Sequence, residues 1–222
     1  MILPEDRLDR FARHIVLPEI GGAGQVALAG KHLVLVGLGG IGSPALQYIA
    51  AAGIGRLTLV DDDRVEASNL QRQTLFNTRD IGHGKAVVAK RWVTGFDPAL
   101  DVAISDRRIR VPLLSAAVGR FQGQVGAFAG HMPGEACYRC FVGDAFDTED
   151  CDSCADDGML GAMAGWVATF AALQAVRVLL DGVGNLGPIN WGQVHLLDGL
   201  APGMRSFAIA KDSACKACGS PR

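Results

Sequence analysis

Three Cys-x-x-Cys pairs hold all six cysteines of this chain: Cys137/Cys140, Cys151/Cys154 and Cys215/Cys218. In a chain expected to be cytoplasmic, such pairs favour metal or redox chemistry over structural disulfides, and two pairs suffice for a tetrahedral zinc site. By spacing alone, Cys137/Cys140 and Cys151/Cys154 make a workable zinc knuckle with ten residues between the pairs. The third pair leaves the choice of ligands open.

A second constellation suits nucleotide chemistry. Gly37-Leu38-Gly39-Gly40-Ile41-Gly42 fits the G-x-G-x-x-G pattern directly after an apolar run and at the start of a helical pattern. Glycines there let the backbone approach a phosphate chain, while the helix N-terminus supplies free N–H groups and a favourable dipole. Asp61 ends the next apolar run 19 residues after Gly42, where a carboxylate accepts from ribose hydroxyls. Ser68-Asn69-Leu70-Gln71-Arg72-Gln73 follows, and Lys85 stands beside Gly82 and Gly84 at a further helix start. Two phosphates need little beyond the helix end, whereas a triphosphate needs added cations, and Arg72 and Lys85 read as that charge.

The elements that must position these residues read as an α/β fold. Glu5 to Leu17 carries Leu8, Phe11, Ala12 and Ile15 on one helical face, ended by Pro18 and Gly21-Gly22. His32–Gly37, a helix over Ile41–Ala52 and Arg56–Asp61 form a strand–helix–strand unit whose continuous apolar strands indicate a parallel sheet buried on both faces. A helix is expected over Gly84–Thr94, with strands over Val102–Ile109, Val111–Ala117, Gln124–Ala129 and Gln193–Leu197. The acidic stretch Val142–Gly158 reads as a solvated loop.

Composition sets the outer bounds. The chain has 222 residues, enough for one globular domain with a real core, and its formal charge of -2 with no basic run argues against nucleic acid. Its 29 glycines point to tight turns or close backbone approaches. Met1–Arg13 is too charged for a secretory signal, so a cytoplasmic location is expected. Met159–Val176 is uncharged and contains Gly161-x-x-x-Gly165, the spacing of helix pairs in lipid. Its Ala and Gly content makes it only weakly apolar, and a buried or interface helix is the better reading.

RFARHIVLPEI, VGLGGIG, LTLVDDDRVEASNLQRQTLF, GHGKA, PLLSAAVGRFQGQV, CYRC, SCADDGMLGAMAG and the terminal CKACG together resemble the MoeB/ThiF/HesA family, adenylyltransferases related to ubiquitin-activating enzymes. The resemblance covers nearly the whole chain and implies a Rossmann-like doubly wound sheet, mostly parallel, with antiparallel C-terminal strands and a four-cysteine zinc site. It divides a single adenylation domain into a nucleotide-binding half (residues 1–110) and a carrier-binding, zinc-holding half (residues 111–222). The implied activity is ATP- and Mg²⁺-dependent adenylation of the C-terminal Gly-Gly carboxylate of a small ubiquitin-like sulfur-carrier protein, for molybdopterin, thiamine or related biosynthesis. The resemblance puts Gly40 and Asp61 on the adenosine, and Asn69, Arg72 and Lys85 on the phosphates. Gly37, Gly39, Gly42, Ser68, Leu70 and Gln71 complete the nucleotide site. Arg13 would reach the phosphates of the other subunit of a homodimer. Cys137, Cys140, Cys215 and Cys218 match the zinc ligands, and Cys154 matches a cysteine able to form an acyl or persulfide link with the carrier. Cys151 receives no role. Any sulfur donor would be a separate protein.

One departure bears on catalysis. Between Ile109 and Val111, where the family has a helix and a strand ending in an Asp-x-x-Asp-Asn-like sequence, this chain has only Arg110. Parallel neighbours need a crossover of about a dozen residues, so the runs on either side cannot be adjacent parallel strands. Residues missing from the sequence as written, natural loss of a strand and a deliberate deletion are the three explanations. The first is favoured, because a gap inside the sheet leaves backbone groups unpaired. An intact mass of 23.3 kDa would overturn it. A genuine loss predicts weakened or absent adenylation, and with it a protein that binds nucleotide and carrier without chemistry. The glycine turn and Asp61 alone also permit an NAD-dependent oxidoreductase, against which NLQRQ and the cysteine pairs weigh.

Overall fold

A computed structural model describes residues 3–104, 111–143 and 158–219, arranged as two compact units. One comprises residues 1–106 and 172–189, the other residues 107–171 and 190–222. Cys151 and Cys154, and most of the acidic stretch, lie outside the described residues.

The first unit is built on a parallel sheet of β1 (His32–Val36), β2 (Arg56–Val60) and β3 (Asp101–Ile104), in that order. The register runs from His32 opposite Arg56 and from Arg56 opposite Asp101. Helix α3 (Gly42–Ala51) makes the crossover from β1 to β2, and α4 (Lys85–Phe96) the one from β2 to β3. Buried Ala45, Leu46, Ile49 and Ala50 form the inner face of α3, and Ala86, Val88, Ala89 and Val93 that of α4. Leu57 and Leu59 of β2, the central strand, are fully buried.

Helix α1 (Glu5–Ile15) is fixed to this unit by its charges. Asp97, 1% exposed, accepts from Arg7 with both oxygens at 2.7 Å and from the Ala99 N–H at 3.2 Å, and Arg10 stands 3.7 Å away. The sequence reading missed α2 (Gly21–Ala29), whose GGAGQVALA composition has poor helix propensity. Tertiary packing overrides it: Gly24 leaves room for Ile20 and Leu180, and Gln25, fully buried, donates to the Ala52 carbonyl at 3.0 Å.

The second unit holds an antiparallel sheet of β4 (Leu113–Val118), β5 (Gln122–Phe128), β6 (Gln193–Asp198) and β7 (Gly203–Ala208). The runs on either side of residues 105–110 are not neighbours: β3 pairs with β2, and β4 with β5. Strand β7 also escaped the sequence reading, because all six of its residues are exposed and no alternation marks it. The short helix α5 (Tyr138–Val142) follows β5.

The apolar segment forms α6 (Gly161–Leu179), long and apolar enough to cross a membrane by length and composition. Met163, Ala164, Val167, Ala168, Ala171, Ala172 and Ala175 make a continuous buried face at helical spacing. Val167 packs on β5, where a methyl at Gly123 would lie 2.2 Å from its side chain.

Candidate functional site

The carboxyl ends of the three parallel strands open into a cleft of about 750 Å³, lined by Val36, Gly37, Val60, Asp61, Asp62, Asp63 and Ile104. Open parallel sheets bind ligands at this end of their strands. Val36 and Ile104 give the cleft apolar wall, 73% and 45% exposed, while the three carboxylates make it acidic.

The glycine turn joins β1 to α3 at this cleft. Gly37 has φ +82°, open to glycine at little cost, and a methyl at Gly42 would lie 1.8 Å from the Gly37 carbonyl oxygen. Gly39 is different, because the nearest atom to a methyl there is Gln73 Nε2 at 3.9 Å. Glycine at 37 and 42 is thus demanded by the fold, while at 39 it leaves open space. Among the described residues, the N–H groups of Gly39, Gly40 and Ile41 have no protein acceptor, which suits them to an anion.

Asp61 closes the turn. Its Oδ2 accepts from the Leu38 N–H and its Oδ1 from the Asp63 N–H at 2.9 Å, so the carboxylate is oriented by backbone on both sides. Each oxygen keeps a lone pair for an incoming hydroxyl.

The NLQRQ segment begins at the last residue of a short helical turn, Ala67–Asn69, capped by the side chains of Glu66 and Asn69. Buried Asn69 accepts from the Glu66 N–H at 3.2 Å, so it shapes the turn. Ser68 donates to Glu66 at 3.2 Å, Leu70 is half-buried and Gln71 exposed. Half-buried Arg72 donates to the Ser68 carbonyl at 2.9 Å, which spends one of its five donors. Lys85 is the first residue of α4 and 4% exposed; its Nζ stands 2.7 Å from Asp63 Oδ2. The sequence reading missed Asp63, for which the Asp61-Asp62-Asp63 run was the only signal. Arg13 is exposed on α1.

The second unit gathers Cys137, Cys140, Cys215 and Cys218, whose sulfurs all lie within 4.8 Å of one another. The Cys137–Cys140, Cys137–Cys215 and Cys140–Cys218 separations are 3.8, 3.7 and 3.5 Å. A tetrahedron with Zn–S bonds of about 2.3 Å has edges of about 3.8 Å, so the four sulfurs fit zinc. This set contains the Cys215/Cys218 pair, so it joins a stretch of chain before α6 to one after it. Gly130 permits the approach, since a methyl there would lie 2.1 Å from Cys137 Cβ. Phe128 meets Tyr138 edge-on at 5.5 Å and stacks on Phe141 at 6.0 Å, forming an apolar wall beside the first pair.

The thiols differ in acidity. Burial works against ionising Cys215, but backbone N–H groups of Ala217 and Cys218 and the sulfurs of Cys137 and Cys140 outweigh it and hold this thiol at about 7. Cys218 is pushed up to about 12 by burial and by its Cys137 and Cys140 contacts. Burial also raises Cys137. With Cys215 the most readily ionised, the cluster is a site ready to lose further protons to a metal.

The ThiF family model matches residues 11–111 and again 107–217. The chain belongs to the ThiF family. It is 33% identical to the sulfur carrier protein adenylyltransferase of Thermus thermophilus, over 97% of this chain and 92% of that protein. Identity is 31% with the SAMP-activating enzyme E1 of Haloferax volcanii, over 98% and 91%. The bovine adenylyltransferase and sulfurtransferase MOCS3 is 36% identical over 98% of this chain, which spans 54% of that protein's length. Among solved structures, E. coli MccB with ATP superposes with a TM-score of 0.77 at 18% identity, covering 98% of this chain and 76% of that one, a likeness of fold.

The ThiF comparison bears on the short connection as well. The Thermus alignment runs over 255 positions against a chain of 222 residues, so at least 33 positions hold no residue of this chain. The two family matches overlap at residues 107–111, the place of the short connection noted in the sequence.

Proposed function

We propose that this ThiF-family protein adenylates the C-terminal carboxylate of a small sulfur-carrier protein, using ATP. The carrying observation is the cleft at the strand ends, lined by Gly37, Asp61 and Asp63, with the unpartnered N–H groups of the glycine turn following Gly37 and buried Lys85 bonded to Asp63. The relatives that align over nine-tenths of their length bear names of this activity.

In this reading Asp61 takes the ribose hydroxyls and the turn N–H groups take phosphate oxygens. A carrier carboxylate oxygen bonds to the α-phosphorus as the bond from that phosphorus to the pyrophosphate oxygen breaks. Both reactants are anionic, so the barrier is largely repulsion and positioning, and pre-placed Lys85 and Arg72 lower it. Arg13 adds a cation across a homodimer. With Asp61 on the ribose and Asp63 on Lys85, the exposed carboxylate of Asp62, within 4.8 Å of both, is the hard oxygen donor left for magnesium. Magnesium would neutralise phosphate charge and the departing pyrophosphate. Zinc on Cys137, Cys140, Cys215 and Cys218 is structural, fastening the terminal Cys215/Cys218 turn to α5. Cys154 serves as the covalent link to the carrier, and molybdopterin or thiamine biosynthesis in the cytoplasm, with a separate sulfur donor, is the setting.

A second reading rests on the short connection at residues 105–110. The family's aspartate-bearing strand would fall there, and its loss favours a protein that holds nucleotide and carrier without turnover. Carrier-dependent ATP–pyrophosphate exchange separates the two: exchange supports the enzyme, and nucleotide binding without exchange supports the binding protein.

A further inference from the structure

Gln73 is 2% exposed, and its Oε1 is the one buried side-chain oxygen or nitrogen without a hydrogen-bond partner among the described residues. Its backbone is fully employed, the N–H donating to Asn69 at 2.9 Å and the carbonyl accepting from Phe76 at 3.1 Å. The carboxamide ends against the glycine turn, with Nε2 3.9 Å from where a Gly39 methyl would stand. There the N–H groups of Gly39, Gly40 and Ile41 also lack acceptors. The side chain that carries the orphaned acceptor thus abuts the turn whose backbone donors lack acceptors. The orphaned Oε1, being buried, costs stability in the empty protein, while the half-buried turn N–H groups stay open to a ligand.

We propose that Gln73 is a positioning residue of the nucleotide site, held unsatisfied in the empty protein and satisfied when nucleotide is bound. Phosphate entering over the turn draws its backbone inward. One turn N–H then goes to Gln73 Oε1, and the others remain aimed at phosphate oxygens. The carboxamide thereby sets which N–H groups face the ligand, acting through the backbone without touching the reacting atoms. This rests on the nucleotide site proposed above, and deepens it by naming what orders the turn. Residues whose polar groups are kept unpaired for a ligand trade stability for binding, so removing the group must move the two in opposite directions.

The test uses the full-length protein without any carrier. Binding of a non-hydrolysable ATP analogue is measured by calorimetry, and the empty protein's Tm by thermal unfolding. Gln73→Met keeps the length and apolar stem and deletes the orphan acceptor. The expected result is a Tm raised by roughly 1–4 °C with analogue affinity at least tenfold weaker. Gln73→Glu keeps an acceptor but sets a carboxylate beside the phosphates. Its affinity is expected to fall by more than that of Gln73→Met. A Tm lowered by Gln73→Met, or unchanged affinity in both variants, overturns the proposal. Equal binding by wild type and variants removes this inference alone, whereas no analogue binding by the wild type removes the nucleotide site with it.

Discussion

Lys85 Nζ and Asp63 Oδ2 lie 2.7 Å apart, the lysine side chain 5% exposed and the aspartate 68% exposed. A cation at the first position of a helix opposes the helix dipole, so Lys85 sits where its charge is least welcome and Asp63 offsets it. Incoming phosphate would replace that carboxylate with a ligand favoured by both the ammonium and the helix end. Asp63→Asn is expected to lower stability by about 1 kcal/mol through loss of a half-exposed pair, and to tighten nucleotide binding by a few-fold. Thermal unfolding and calorimetry check both signs, and weaker binding by the variant would show that Asp63 assists the ligand.

Lys85→Ala removes the buried cation itself. Pyrophosphate exchange should fall on the order of 10²–10³-fold, the size seen when one pre-placed stabilising group is lost. An effect under threefold in steady-state kinetics would take Lys85 out of the phosphate site.

The two ends of the glycine turn separate fold from function. Gly42→Ala forces a methyl to 1.8 Å from a carbonyl oxygen, and a folding cost of several kcal/mol is expected. Gly39→Ala meets nothing closer than 3.9 Å, so the fold is kept while the methyl occupies the space above the turn. Circular dichroism and analogue binding on the pair should give a folded non-binder for Gly39→Ala and a destabilised protein for Gly42→Ala.

The motif made part of this legible. Glycine at 37 and 42 answers to backbone geometry, and Asp61 to a strand end, so sequence spacing carries both. The ligand set of the cysteine cluster was not written in spacing, since three equivalent pairs permit several choices; the resemblance chose the set that the fold assembles. Helix α2 was hidden because packing against Leu180, far along the chain, overrides its glycines. Strand β7 was hidden because neither face is buried. The hold of Asp63 on Lys85 depends on where β2 meets α4, which no local pattern encodes.

Zinc retention should depend on pH with a definite sign. The Cys215 thiol, held at about 7 against a usual 9.0, is ionised above that pH and supports binding; its contribution fades as pH falls through 7. Cys218, pushed up to about 12, gives up its proton only to the metal. Apparent zinc affinity should therefore drop by roughly tenfold or more per pH unit below 7, read by chelator competition. Cys137→Ser or Cys218→Ser should lose the stoichiometric ion, measured by elemental analysis, and a flat pH profile would deny the cluster its thiolate chemistry.

The central claim is carrier adenylation, and carrier-dependent ATP–pyrophosphate exchange tests it most directly. Purified protein, radiolabelled pyrophosphate and a panel of ubiquitin-like sulfur carriers ending in Gly-Gly should give label in ATP with at least one carrier, and none when its terminal glycine is removed. Bound nucleotide with no exchange for any carrier would contradict the claim and leave a nucleotide- and carrier-binding protein in its place.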